Sequence, residues 1–96
     1  MLNIGNVSLH STVVQAKGNI VSDMGGEKVM LSIDKGKYYN LGEIGGAIWG
    51  QMQVPTLVSK IIDHLMAEYK VEREECEKQV LDFLKQLIHE ELVECN

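Results

Sequence analysis

The sequence predicts an α+β domain, a three-stranded antiparallel β-meander followed by a three-helix bundle of winged helix-turn-helix type. Three observations predict it. The first half is rich in glycine and β-branched residues. Within it, Lys28 to Ile33 alternates with the two-residue period of a strand. From Glu43 onward, apolar residues recur every three or four positions, the period of helices packed on one side.

Residues 1–18 carry little periodic signal, although Ser11 to Ala16 suits an extended segment. Asn19 to Asp23 reads as the first strand of the meander. It runs into Met24-Gly25-Gly26-Glu27, a turn with two glycines available for positive φ. In the second strand Val29, Leu31 and Ile33 share one face and Lys28, Met30 and Ser32 the other. Asp34-Lys35-Gly36 is a hairpin loop, with Gly36 suited to the left-handed position of a bulged turn. Lys37 to Leu41 returns, placing Tyr39 and Leu41 on one face and Tyr38 and Asn40 on the other.

A first helix is expected over about Glu43 to Met52, from the recurrence of Ile44, Ile48 and Met52 with Ala47 and Trp49 beside them. Gly45, Gly46 and Gly50 each weaken it by up to ~1 kcal/mol relative to alanine, so close packing must sustain it. Trp49 is expected in the core. Pro55 ends the link, and Thr56 is the expected N-cap of a second helix striped by Leu57, Ile61, Leu65 and Tyr69. The third helix runs from about Glu72 to His89. Glu72, Glu74, Glu75 and Glu77 crowd its start, where the helix dipole favours acids. Cys76, Val80, Phe83, Leu84, Leu87 and Ile88 line its apolar side, and Leu92 and Val93 follow.

Ninety-six residues suffice for one domain with a single core, spanning 1–96. Of the fourteen carboxylates ten lie from Asp63 onward, and the formal charge is −5. That surface repels a phosphate backbone, which argues against nucleic acid as a partner. Cys76 and Cys95 form no CxxC pair and no zinc spacing, so no metal and no cofactor are expected. The opening residues show no basic and apolar signal pattern, and no apolar run is long enough to span a membrane. A cytoplasmic protein with reduced thiols is the expectation.

Two stretches carry a resemblance. VMLSIDKGKYYNLGEIGGAIWGQM (29–52) resembles the PqqD-like pattern of an aliphatic strand, Asp-x-Gly, a tyrosine-rich strand and a helix ending Ile-Trp. TLVSKIIDHLMAEYKVEREECEKQVLDFLKQLIHEELVE (56–94) is similar to the two helices that follow in that family. The chain therefore resembles the PqqD-like recognition elements of ribosomally synthesised, post-translationally modified peptide (RiPP) biosynthesis. The Lys-Tyr-Tyr strand looks most like the leader-binding proteins of lasso-peptide biosynthesis. Two positions depart from the pattern: Gly42 stands where asparagine often starts the first helix, and Glu91 where glycine commonly precedes the final apolar pair.

The resemblance implies a peptide chaperone without bond chemistry of its own, a winged helix-turn-helix bundle behind a three-stranded sheet. It implies a precursor leader peptide as ligand, bound as an added strand between the third strand and third helix. It also implies a leader peptidase and a macrocyclising enzyme as further partners. The residues themselves suit this. The outer edge of Lys37, Tyr38, Tyr39, Asn40 and Leu41 is left unpaired by a meander, and such an edge invites strand addition. Cys76, Val80 and Phe83 recur at helical spacing as a candidate apolar wall, which Leu84 and Leu87 extend. The bland readings stand beside this: Leu84 and Leu87 read more readily as core and Lys37 as a solvated edge charge, while Cys76, Val80 and Phe83 suit core, and Tyr38 and Tyr39 a plain strand role, as well as binding.

Three rivals remain at this stage. A DNA-binding winged helix is disfavoured by seven acids in residues 72–91 against Arg73, Lys78 and Lys85. An enzyme needs a histidine near a cysteine, and His10, His64 and His89 stand in no recognisable motif. A PqqD-type chaperone serving a radical SAM enzyme is not separable from the lasso-peptide reading by sequence.

Overall fold

The structure, a computed structural model, describes residues 7–95. The expectation that the chain opens without a signal peptide concerns residues 1–6 above all and lies outside those described. The elements run β1 (Thr12–Gln15), β2 (Asn19–Met24), β3 (Glu27–Ser32), β4 (Lys37–Leu41), α1 (Gly42–Gly50), β5 (Thr56–Leu57), α2 (Val58–Glu68), α3 (Arg73–His89) and β6 (Val93–Cys95).

The predicted meander is present as the sheet β2-β3-β4, antiparallel throughout. Its first turn is two residues, Gly25 (φ 66°) and Gly26 (φ 90°), the left-handed geometry that matches the twist of paired strands. Val21, Met30 and Tyr39 lie opposite one another on the inner face, and Met30 is fully buried. Ile20, Leu31 and Tyr38 form the corresponding row on the outer face, where Tyr38 is 74% exposed. The inward face of β3 is thus Lys28, Met30 and Ser32, although Val29, Leu31 and Ile33 are the more apolar set. Helix α1 accounts for this. Gly46 brings the helix so close that an added Cβ would stand 2.8 Å from Lys28 Cβ, and the lysine stem is packing surface there.

The expectation of a single meander is corrected by a second antiparallel sheet, ordered β5-β1-β6. Val13, completely buried, pairs with Thr56 on one side and Cys95 on the other. Segments of two and three residues are too short to leave a period in sequence, so β5 and β6 were not legible. The sheet gathers distant parts of the chain. Gln15 donates from its backbone N–H to the Met52 carbonyl (2.8 Å) and from Nε2 to the Trp49 carbonyl (2.7 Å), while Ala16 N–H donates to Leu92 (2.9 Å).

This pairing also overturns the expected cap. Thr56 lies in β5, its hydroxyl shared between the carbonyls of Gln51 (2.9 Å) and Val54 (2.8 Å), and Leu57 occupies the N-cap of α2 without a side-chain bond. The start of α1 is arranged by Asn40, whose Oδ1 accepts from Gly42 N–H at 2.9 Å, with Gly42 itself left-handed (φ 73°). Helix α1 ends at Gly50, two residues before the expected Met52.

At the other end, α3 closes in a Schellman motif. Glu91 N–H donates to Ile88 (3.0 Å) and Leu92 N–H to Leu87 (2.8 Å), with Glu91 left-handed at φ 64°. This is why glycine suits that position in the resembling pattern. Leu87 and Leu92 are both buried at the motif, and with Ile48, Trp49, Ile61, Leu65, Val80 and Leu84 they belong to one core.

Candidate peptide-binding groove

Among the described residues, β4 pairs with β3 and nothing pairs its other edge. The N-terminal strand β1 sits in the second sheet instead. Every other N–H and C=O of β4 therefore faces away from the meander, available to another backbone.

Beside that edge lies an open groove of about 520 Å³. Tyr39, Asn40 and Leu41 of β4 form one wall, and Phe83, Lys85, Gln86, Leu87 and His89 of α3 the other, with Glu90 at the end. Two contacts link its walls. The Tyr39 hydroxyl donates to Glu90 Oε1 at 2.9 Å, and Lys35 Nζ donates to the Glu90 carbonyl. Burial, then the Glu90 hydrogen bond, pushes the Tyr39 hydroxyl above the ordinary tyrosine range. The same bond, helped by Lys35, Lys37 and His89, holds the Glu90 carboxyl below the ordinary glutamate range in spite of its partial desolvation.

A second cavity, about 290 Å³ and mainly apolar with Gln79 at its wall, opens between the helices. Ile44, Gly45 and Ile48 of α1 face Cys76, Val80 and Phe83 of α3, with Leu65, Tyr69 and Val71 closing the third side. Phe83 lines both spaces, so its ring divides the groove from the cavity.

The structure brings Tyr39, Asn40, Leu41, Phe83 and Leu87 together along the groove, and Cys76, Val80 and Phe83 along the cavity. Leu84 is fully buried and lines neither. Lys37 and Tyr38 are exposed beside the edge, and their side chains line neither. Sequence reasoning missed Gln86 and Glu90, although they follow Phe83 at the helical spacings of three and seven. It missed the α1 wall because glycines were read for their effect on helix propensity. His89, which stands in no recognisable motif, also lines the groove.

Cys76 is 4% exposed. Burial pushes its thiol pKa up, Glu77 adds to this, and Arg73 opposes it. A thiol so placed stays protonated at neutral pH and is a poor nucleophile. No helix among the described residues is long and apolar enough to cross a membrane.

Residues 27–93 match the family described as Coenzyme PQQ synthesis protein D (PqqD). Three solved structures share the fold. TbiB1 in complex with the TbiA(beta) leader peptide is 30% identical, with 84% of this chain and 94% of that one aligned at a TM-score of 0.76. Lasso peptide synthetase B1 complexed with its leader peptide is 18% identical over 85% and 96%, at 0.74. The PqqD truncation of Methylobacterium extorquens PqqCD, described as a functional and stand-alone RiPP recognition element, is 17% identical over 97% and 99%, at 0.81. The last two bear on the fold alone. No curated protein matches the chain.

Proposed function

The chain belongs to the PqqD family, and on that footing we propose that it captures the leader region of a precursor peptide by strand addition to the free edge of β4. The single observation that carries this reading is a strand edge, unpaired among the described residues, standing directly beside a groove walled by α3. Main-chain bonds to β4 supply affinity that is independent of sequence, and the spaces on either side of Phe83 supply selection among side chains. The edge residues Lys37 to Leu41, with Cys76, Val80, Phe83, Leu84 and Leu87 behind them, form the binding region and its support.

Lasso-peptide biosynthesis is the pathway class we favour, because the Lys-Tyr-Tyr strand looks most like the leader-binding proteins of that pathway, and the 30% identical relative was solved with a leader peptide. In that setting the protein is a non-catalytic cytoplasmic carrier that delivers its precursor to a leader peptidase and a macrocyclase. The three helices, read as a winged helix-turn-helix bundle, serve as a peptide platform. The exposed acids Glu72, Glu74 and Glu75 at the start of α3 oppose a role in reading DNA.

Titration of isotope-labelled protein with the TbiA(beta) leader peptide tests this. The expected result is micromolar or tighter binding, with the backbone signals of residues 37–41 moving most. Shifts confined to α1 or α2, or no binding by this peptide, count against the reading.

A further inference from the structure

Gly45 faces α3 from the middle of α1, and the ring of Phe83 lies where a side chain at 45 would stand. A Cβ built on Gly45 would be 2.9 Å from Phe83 Cζ, 3.0 Å from Cε1 and 3.3 Å from Leu41 Cβ. Carbon atoms at rest in contact stay about 3.5–4.0 Å apart. The ring therefore keeps its seat only because residue 45 has no side chain. Its seat is also the partition between the groove and the apolar cavity.

We propose that Gly45 is a specificity-determining position: by leaving room for the Phe83 ring, it sets the size of the apolar cavity and so the largest apolar side chain of a bound peptide that the cavity admits. This inference rests on the leader-peptide reading above. The cavity of about 290 Å³ is large enough for one bulky apolar group, since an apolar cavity of about 150 Å³ holds a benzene molecule. Gly45 lines the cavity and not the groove. A methyl group there would take up cavity space directly and unseat the ring as well.

Gly50 provides the control. It lies on the same helix, and a Cβ there would meet nothing within 4 Å.

The experiment measures binding of a displayed panel built on the TbiA(beta) leader peptide, each apolar position changed in turn to Ala, Val, Leu or Phe. In the wild-type protein one position should favour Leu or Phe over Ala by at least about tenfold, since each buried methylene is worth about fourfold in affinity. In Gly45→Ala that preference should fall to about twofold or less. Gly50→Ala should keep it, and Gly45→Ala/Phe83→Leu, which removes the colliding ring tip, should recover most of it. Alanine favours a helix more than glycine does, so Gly45→Ala is expected to fold, and circular dichroism verifies this. A size preference unchanged in Gly45→Ala overturns the role of Gly45 while leaving leader binding standing. Failure of every panel member to bind the wild-type protein defeats the leader-peptide reading, and the inference falls with it.

Discussion

The Tyr39 hydroxyl donates to Glu90 Oε1 at 2.9 Å, joining β4 to the residue that caps the C-terminus of α3. These are the two walls of the groove, and this bond with the Lys35 contact to the Glu90 carbonyl fixes their separation at one end. A strand edge alone is a weak ligand site; an edge held at a set distance from an apolar helix face is a selective one.

The pair gives a pH prediction. The Glu90 carboxyl is held below the ordinary glutamate range in the folded protein, chiefly because its ionised form accepts the Tyr39 bond. A depressed carboxyl stabilises the fold above the unfolded-state pKa, and that contribution is lost as pH falls through the folded value. Carbon-detected NMR of the Glu90 carboxyl should therefore show a midpoint below that of an ordinary glutamate, and Tyr39→Phe should move it upward. An unchanged midpoint in Tyr39→Phe contradicts the assigned cause.

Glu91 offers a stability prediction. It holds the left-handed Schellman position at φ 64°, where a non-glycine residue is strained. Glu91→Gly should stabilise the protein by about 0.5–1 kcal/mol, read as a raised denaturant midpoint with an unchanged slope. Loss of the Lys35 pairing at 3.9 Å subtracts little, because Glu91 is 84% exposed there. A lowered midpoint would show that the pairing outweighs the strain.

Gly46 should be intolerant where Gly50 is not. A Cβ on Gly46 would press on Lys28 at Cβ, close to the β3 backbone, so Gly46→Ala should destabilise by about 1–3 kcal/mol even against its better helix propensity. Gly50→Ala should leave stability unchanged or slightly higher. Chemical denaturation of the two variants side by side reads the difference, and equal midpoints would refute the close approach of α1 to β3.

Phe83 should matter more for binding than Lys37. Phe83 borders both the groove and the cavity, whereas Lys37 is an exposed edge charge. Phe83→Ala should weaken leader binding by about tenfold or more, as buried aromatic anchors do, and Lys37→Ala by a small factor. Circular dichroism must accompany the calorimetry, because Phe83 also packs against the core.

The parts of this fold that were legible in sequence are those with a period. The alternation around Tyr38 and Tyr39 sends one tyrosine out and one in, and the glycines at 25, 26 and 36 are left-handed where the turns require it. Spacing placed Cys76, Val80 and Phe83 on one face of α3. What escaped has a physical reason in each case. The second sheet is built from pairings across most of the chain, such as Val13 with Cys95, which no local pattern records. Thr56 has the composition of a cap, but its backbone is drawn into that sheet. The inward face of β3 was decided by a glycine on another element, which lets a lysine stem replace an apolar side chain.

The central claim is that another chain's extended backbone completes the sheet at β4. Amide hydrogen exchange of residues 37–41, with and without saturating leader peptide, tests it most directly. Strand addition predicts that alternate amides of β4, the ones turned away from β3, become strongly protected while their neighbours change little. Saturated binding with all five amides exchanging as before would contradict the account.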